Sequence, residues 1–222
     1  MEKARKQVQQ SCRQTGTRHN QGRRKISVNF TTNLTSISTL RRTNHAIFAA
    51  SVTLLRHLHD GVDAITHTVV AIFDDLEVLE SSMDMRAKSA ACAAVGRAGA
   101  SISKVNDSAL AIQRQTWGRK SRDAGDYLAA VLLNASDQAT WISAVDKMMG
   151  SIKFKNPGML RIVRLRGGPS THSVLLVAPS YAELITFMER IEASNEFATM
   201  RSASDSSVVG TTIYQVANVW NP

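Results

Sequence analysis

Two threonine–histidine pairs, Thr66-His67 and Thr171-His172, stand 105 residues apart in this 222-residue chain. Imidazole is the side chain whose ordinary pKa lies nearest neutrality, so histidines at the rim of a cavity suit acid/base work or the orientation of a ligand. The alternative is a histidine that bonds a neighbouring loop and fixes a hairpin. His57 and His59 lie two apart, on one side of a strand, and His67 follows across a turn. Three imidazoles so placed could hold Zn²⁺ or another divalent cation. The second half has Ile162, Val163, Arg164 and Leu165 at the corresponding places, so the pattern is not duplicated, and no fourth ligand accompanies it. Arg161, Arg164 and Arg166 alternate along one apolar run and, with His172, could receive an anion, although a solvated strand face is the ordinary reading. Trp141, Tyr214 and Trp220 offer aromatic surface to a ligand or to a core. Nucleophile elbow, phosphate loop, dinucleotide fingerprint and cysteine metal knuckle are all missing from the sequence.

The elements that must position these residues repeat. Sliding the chain by 105 residues lays 66–98 over 171–203 with eight identities in 33 positions, where chance gives about two. In the second copy, Tyr127–Asn134 is an apolar run of strand length, and Ser136 or Asp137 caps a helix bearing Trp141, Val145 and Met148 at helical spacing. Asn156-Pro157-Gly158 breaks the chain. Met159–Arg166 and Ser173–Val177 flank Gly167-Gly168-Pro169 as a hairpin. Pro179-Ser180 opens a helix with Leu184, Phe187, Met188 and Ile191 on one stripe, and Thr211–Trp220 closes the unit. The first copy follows the same order: strand 26–30, a weak helix 34–48, a hairpin of 52–59 and 66–73 across Asp60-Gly61, a helix marked by Leu76, Leu79 and Met83, and strand 110–117. The order in each copy is β-α-β-β-α-β.

The middle strands, VVAIF and VLLV, are apolar at consecutive positions, so both faces need cover. Two helices cover one face of a four-stranded sheet, and the sheet of the other copy is the natural cover for the second. The expected fold is α+β, with two antiparallel sheets packed face to face and a cavity between them. The first copy spans 25–120 and the second 126–222, behind a basic disordered tail over 1–24.

That order, the Gly167-Gly168 and Thr171-His172 hairpin and the helix over 180–194 resemble the dimeric α+β-barrel superfamily of ferredoxin-like folds. It includes antibiotic-biosynthesis monooxygenases, EthD-like and stress-responsive barrels and haem-degrading monooxygenases. The likeness covers about residues 25–220 and points to tandem members, in which two fused repeats replace a homodimer. It implies a small-molecule-binding protein, with a cofactor-independent monooxygenase-like activity on an apolar ligand between the sheets. The haem-degrading branch relies on an Asn, a Trp and a His, types matched here by Asn134, Trp141 and His172, but Trp141 on the first helix departs from that branch's placement. His172, His67 and Asn134 are thus the candidate catalytic residues, and Arg164, Arg166, Trp141, Tyr214 and Trp220 the candidate ligand contacts. His57, His59 and His67 are the weaker metal candidates. No cofactor is required, while haem and a divalent metal stay open. A non-catalytic interaction or stress-associated module is the alternative on the same fold.

Charge narrows the partners. The chain carries a formal +9. Residues 1–25 hold eight Lys or Arg against Glu2, a local +7, so +2 remains for the rest. Nucleic acid is therefore a partner only through the tail, which lacks aromatic residues for base stacking. Cys12 and Cys92 make no disulfide framework, and the most apolar run, Ala46 to Leu55, is far short of the roughly 20 residues a membrane span needs. No apolar signal region follows the charged start. The expectation is a soluble cytoplasmic protein, a monomeric pseudo-dimer or a homodimer, that binds a small apolar or anionic ligand.

Overall fold

The computed structural model describes residues 26–32, 51–59, 66–90, 93, 94, 97, 105–151, 158–166 and 170–221. The tail over 1–24, the expected helix over 34–48 and the Asp60-Gly61 and Gly167-Gly168 turns lie outside the described residues. The strands are β1 (Ile26–Thr32), β2 (Ser51–His59), β3 (His67–Phe73), β4 (Val105–Gly118), β5 (Tyr127–Ala135), β6 (Met159–Arg166), β7 (His172–Ala178) and β8 (Ser206–Trp220). The helices are α1 (Leu76–Lys88), α2 (Gln138–Ser151), α3 (Tyr181–Glu192) and α4 (Asn195–Ala203).

Side-chain chemistry sets the helix starts. Asp75, Ser180 and Ser194 cap α1, α3 and α4 by accepting from the N–H of Val78, Glu183 and Phe197. Asp137 does the same for α2, taking the N–H groups of Ala139 and Thr140 at 3.0 and 3.1 Å. Trp141, Val145 and Met148 of α2 and Leu184, Phe187 and Ile191 of α3 are buried as their spacing demands. Leu76 and Met83 depart from their expected places on the α1 stripe: they are 51% and 60% exposed, and α1 turns Leu79 and Ser82 inward instead. Helix α4 was not expected. It carries only Phe197 and Met200 as large apolar residues, too few to register as a periodic stripe.

All strand pairs are antiparallel, in the order β1-β3-β2-β8-β5-β7-β6-β4, and β4 returns to pair with β1. The eight strands therefore close into one barrel, a correction to the expected pair of separate face-packed sheets. The reason lies in strand length. Strands β4 and β8, of 14 and 15 residues, overrun their own neighbours and bond the next group, β4 to β6 and β8 to β2. Sharing the edges satisfies backbone groups that two stacked sheets would leave bare.

Alternation along each strand separates two faces. Outside, Ala129, Leu133, Leu160, Ile162 and Leu176 pack beneath α2, α3 and α4. Val52, Leu54, Ala71, Phe73 and Trp220 pack with Leu79 of α1. Inside, Leu128, Ala130, Met159 and Val177 form one cluster and Leu55, Val70 and Val216 another, with Tyr214 touching both. No helix among the described residues is long and apolar enough to cross a membrane.

Candidate functional site in the barrel lumen

The lumen has two unlike ends. One is covered by the β4–β5 connection, residues 119–126. Gly118 enters it at φ +78° and Gly125 leaves it at φ +95°, conformations that glycine adopts at least cost. The connection is sewn to β8 by Gly125 N–H to Val216 O (2.8 Å) and Val216 N–H to Asp126 O (2.7 Å). Arg119 pairs with Asp123 and Asp126, and the Asp126 carboxylate also accepts the Asp123 N–H at 2.7 Å.

This fold of the connection sends Arg122 inward. Its Nε donates to Thr53 Oγ1, an inner-face hydroxyl on β2, at 3.1 Å, and the residue is 6% exposed. Arg161 of β6 shares the inner face and donates to Thr116 Oγ1 (3.3 Å) and Lys120 O (3.0 Å). Burial, and then the like charge of Arg161, pull Arg122 down to about 9, against a smaller upward pull from Asp126. Both guanidinium groups are cationic at neutral pH.

Elsewhere the inner face is less completely covered. Leu132, Leu165, Leu175, His57 and Tyr214 lie on inner-face positions yet are only half-buried. There His57 Nε2 lies 2.7 Å from Thr68 Oγ1, and its ring stands edge-on to Tyr214, centroids 4.5 Å apart at 81°. A hydroxyl, an imidazole and a phenol thus meet beside an apolar wall, the usual composition of a small-molecule site.

The candidates named from sequence are dispersed. His172 pairs with Leu133 in the β5–β7 ladder, on the outer face, and its ring lies 5.0 Å from that of Trp141. It is 1% exposed, and Nδ1 sits 2.9 Å from Thr171 Oγ1. Burial, then the charges of Arg164 and Arg114, pull it down to about 4, so it is neutral at pH 7. His67 repeats this arrangement beneath the first half: Nδ1 is 2.9 Å from Thr66 Oγ1, and burial, His57 and Arg56 lower its pKa. Each histidine faces an arginine across the ladder, Arg56 for His67 and Arg164 for His172. Neither stands at the mouth of an inter-sheet cavity as expected, because the threonine-first register turns both toward the helices.

Asn134 accepts the Thr171 N–H at 3.0 Å and so ties the β6–β7 hairpin to β5. Trp220 belongs to the cluster under α1, and Tyr214 is the expected aromatic contact that faces the lumen. The arginine row is split: Arg161 points inward, while Arg164 and Arg166, at even numbers on the same strand, point outward. His57 and His67 likewise lie on opposite faces, and no trio of metal-ligating side chains occurs among the described residues. Haem does not fit His172, whose ring is enclosed by Trp141 and the surrounding core. Arg122, Thr53 and Thr68 went unmarked in the sequence. Arg122 sits in a charged connecting segment, RKSRDAGD, with nothing in its spacing to show that one arginine turns inward.

No family model and no curated protein matches this chain. Solved structures do match it in fold. A protein of Fusobacterium nucleatum described as a "putative monooxygenase" aligns at TM-score 0.59 and 12% identity, over 90% of this chain and 95% of that one. An anthrone oxidase-like protein aligns at 0.56 and 14%, over 90% and 94%. A heme-binding protein of Thermus thermophilus aligns at 0.53 and 10%, over 87% and 91%. At such identities the likeness speaks for fold alone. The chain has the α+β, ferredoxin-like architecture of these proteins.

Proposed function

We propose that this protein is a tandem α+β barrel that binds a small, mostly apolar molecule in its lumen. The observation that carries this reading is the set of inward but half-buried side chains, Leu132, Leu165 and Leu175 on β5, β6 and β7 and His57 and Tyr214 on β2 and β8. The tandem reading is supported by strand order. Starting from β4, the barrel runs β4-β1-β3-β2 and then β8-β5-β7-β6, so residues 26–118 and 127–220 contribute the same arrangement of four strands. The matched Thr-His hydrogen bonds, each of 2.9 Å, support it further.

The activity this reading favours is a monooxygenase-like reaction on the bound molecule that uses no resident cofactor, in line with the names of two fold neighbours. His57 and Tyr214 are the groups that would meet the reacting end, His57 as the acid/base group held by Thr68. The test is native mass spectrometry of the full chain, together with titration by the neutral apolar dye Nile red. Wild type is expected to carry a co-purified molecule or to bind the dye, and Leu175→Trp, which fills the lumen, to do neither at an unchanged melting temperature. If Leu175→Trp binds as wild type does, the lumen is not the site.

A further inference from the structure

Arg122 is a buried cation with a donor to spare. Nε is used on Thr53, but Nη2 is buried and reaches no acceptor. A buried charge without a partner costs several kcal/mol, so such a group calls for an explanation. Its surroundings do not supply one. Thr53 is neutral, and Arg161 is a like charge already engaged by Thr116 and Lys120. The Asp126 carboxylate is occupied by Arg119 and the Asp123 N–H. The connection and β6 bring Arg119, Lys120, Arg122 and Arg161 together against Asp123 and Asp126, which leaves positive charge in excess at the closed end of the lumen.

We propose that this end is an anion-binding site, in which Arg122 Nη2 receives an anionic oxygen from a carboxylate or a small inorganic oxyanion. Arg161 adds attraction, with its Nε and one Nη2 donor held by Thr116 and Lys120. Leu128, Ala130 and Val177 line the adjoining wall, so the site suits best a carboxylate borne on a short hydrocarbon body. The organic form rests on the lumen reading above, because its body must occupy the lumen, whereas a free oxyanion needs only the closed end.

The test is calorimetric titration of the full chain, at constant ionic strength, with sodium nitrate, sodium formate, sodium hexanoate and neutral hexanol. Wild type is expected to bind hexanoate at least tenfold tighter than formate. Arg122→Gln should weaken every anion about tenfold or more and leave hexanol unchanged. Leu132→Trp, on the inner face further toward the hairpin end, should weaken hexanoate and spare nitrate. Anion binding lost in Arg122→Gln but insensitive to Leu132→Trp keeps the anion site and removes the lumen reading. Should Arg122→Gln not fold, the Arg122 Nε–H resonance of wild type is followed instead, and it should shift on addition of hexanoate or nitrate. Equal anion affinity in wild type and Arg122→Gln, or no anion binding and no resonance shift in wild type, overturns the proposal.

Discussion

His172 sits among apolar side chains with one ring nitrogen held by Thr171 and the other, Nε2, without a partner. Its folded pKa of about 4 lies below the value of about 6.5 it takes when unfolded, so the unfolded chain accepts a proton first as pH falls. Stability is thus untouched above about pH 6.5, is lost between 6.5 and 4, and levels off below. The loss traceable to this residue is about 3 kcal/mol. Urea unfolding of wild type and His172→Gln at pH 7 and pH 4.5 checks this: the variant should lose markedly less on acidification. An equal loss in both would mean that the imidazole protonates without cost. Thr171 makes a second residue-scale case, because its hydroxyl accepts the Ala135 N–H at 3.0 Å as well as meeting His172. Thr171→Val strands both groups and should cost about 1–3 kcal/mol in the same measurement.

At the scale of elements, the β4–β5 connection carries a contrast between two glycines of similar backbone. A methyl group at Gly118 would collide with the carbonyl oxygen of Gly158, the acceptor for the Arg119 N–H, whereas at Gly125 it would meet nothing within 4 Å. Gly125→Ala should therefore cost only the strain of a positive φ, about 1–2 kcal/mol, and Gly118→Ala clearly more. Denaturant midpoints decide it, and the reverse order would be wrong for this geometry. Strand and helix positions in the second half were legible because periodicity there is strong: Met159–Arg166 stands as expected, and α3 starts at its serine cap. What escaped were properties of register and length. Which face a histidine takes depends on one residue of offset, and apolar residues on both sides of β7 made either offset plausible. The closing of the barrel depends on β4 and β8 running past their own group, and the residues that do so, Gln113–Gly118 and Val216–Trp220, meet the next group across register shifts that break simple alternation. The lumen arginine was unreadable for a related reason, since a connecting segment has no periodicity to reveal its inward side.

At the scale of the molecule, the tandem reading makes the two seams equivalent. β2 meets β8 at one and β6 meets β4 at the other, and in the tandem reading β2 corresponds to β6 and β4 to β8. A fragment of residues 126–222 would expose β6 and β8 as open edges that complement each other in a second copy. It should therefore form a two-fold dimer at micromolar concentration, checked by light scattering on a sizing column. A folded, monodisperse monomer would mean that the halves are not interchangeable. Trp220, which crosses the seam to pack with Val52, Leu54 and Phe73, should cost about 3–5 kcal/mol as Trp220→Ala in the whole chain.

Pairing of β2 with residues 213–220 also has a consequence in time. Val52 lies opposite Trp220, so the first group of strands is made long before the partner for its β2 edge exists. On the ribosome that edge must wait, bare, for most of the polypeptide to follow. Only when Ile213–Trp220 emerges can the ring shut, which places the exposure to chaperones and to misassociation in the interval between the two syntheses.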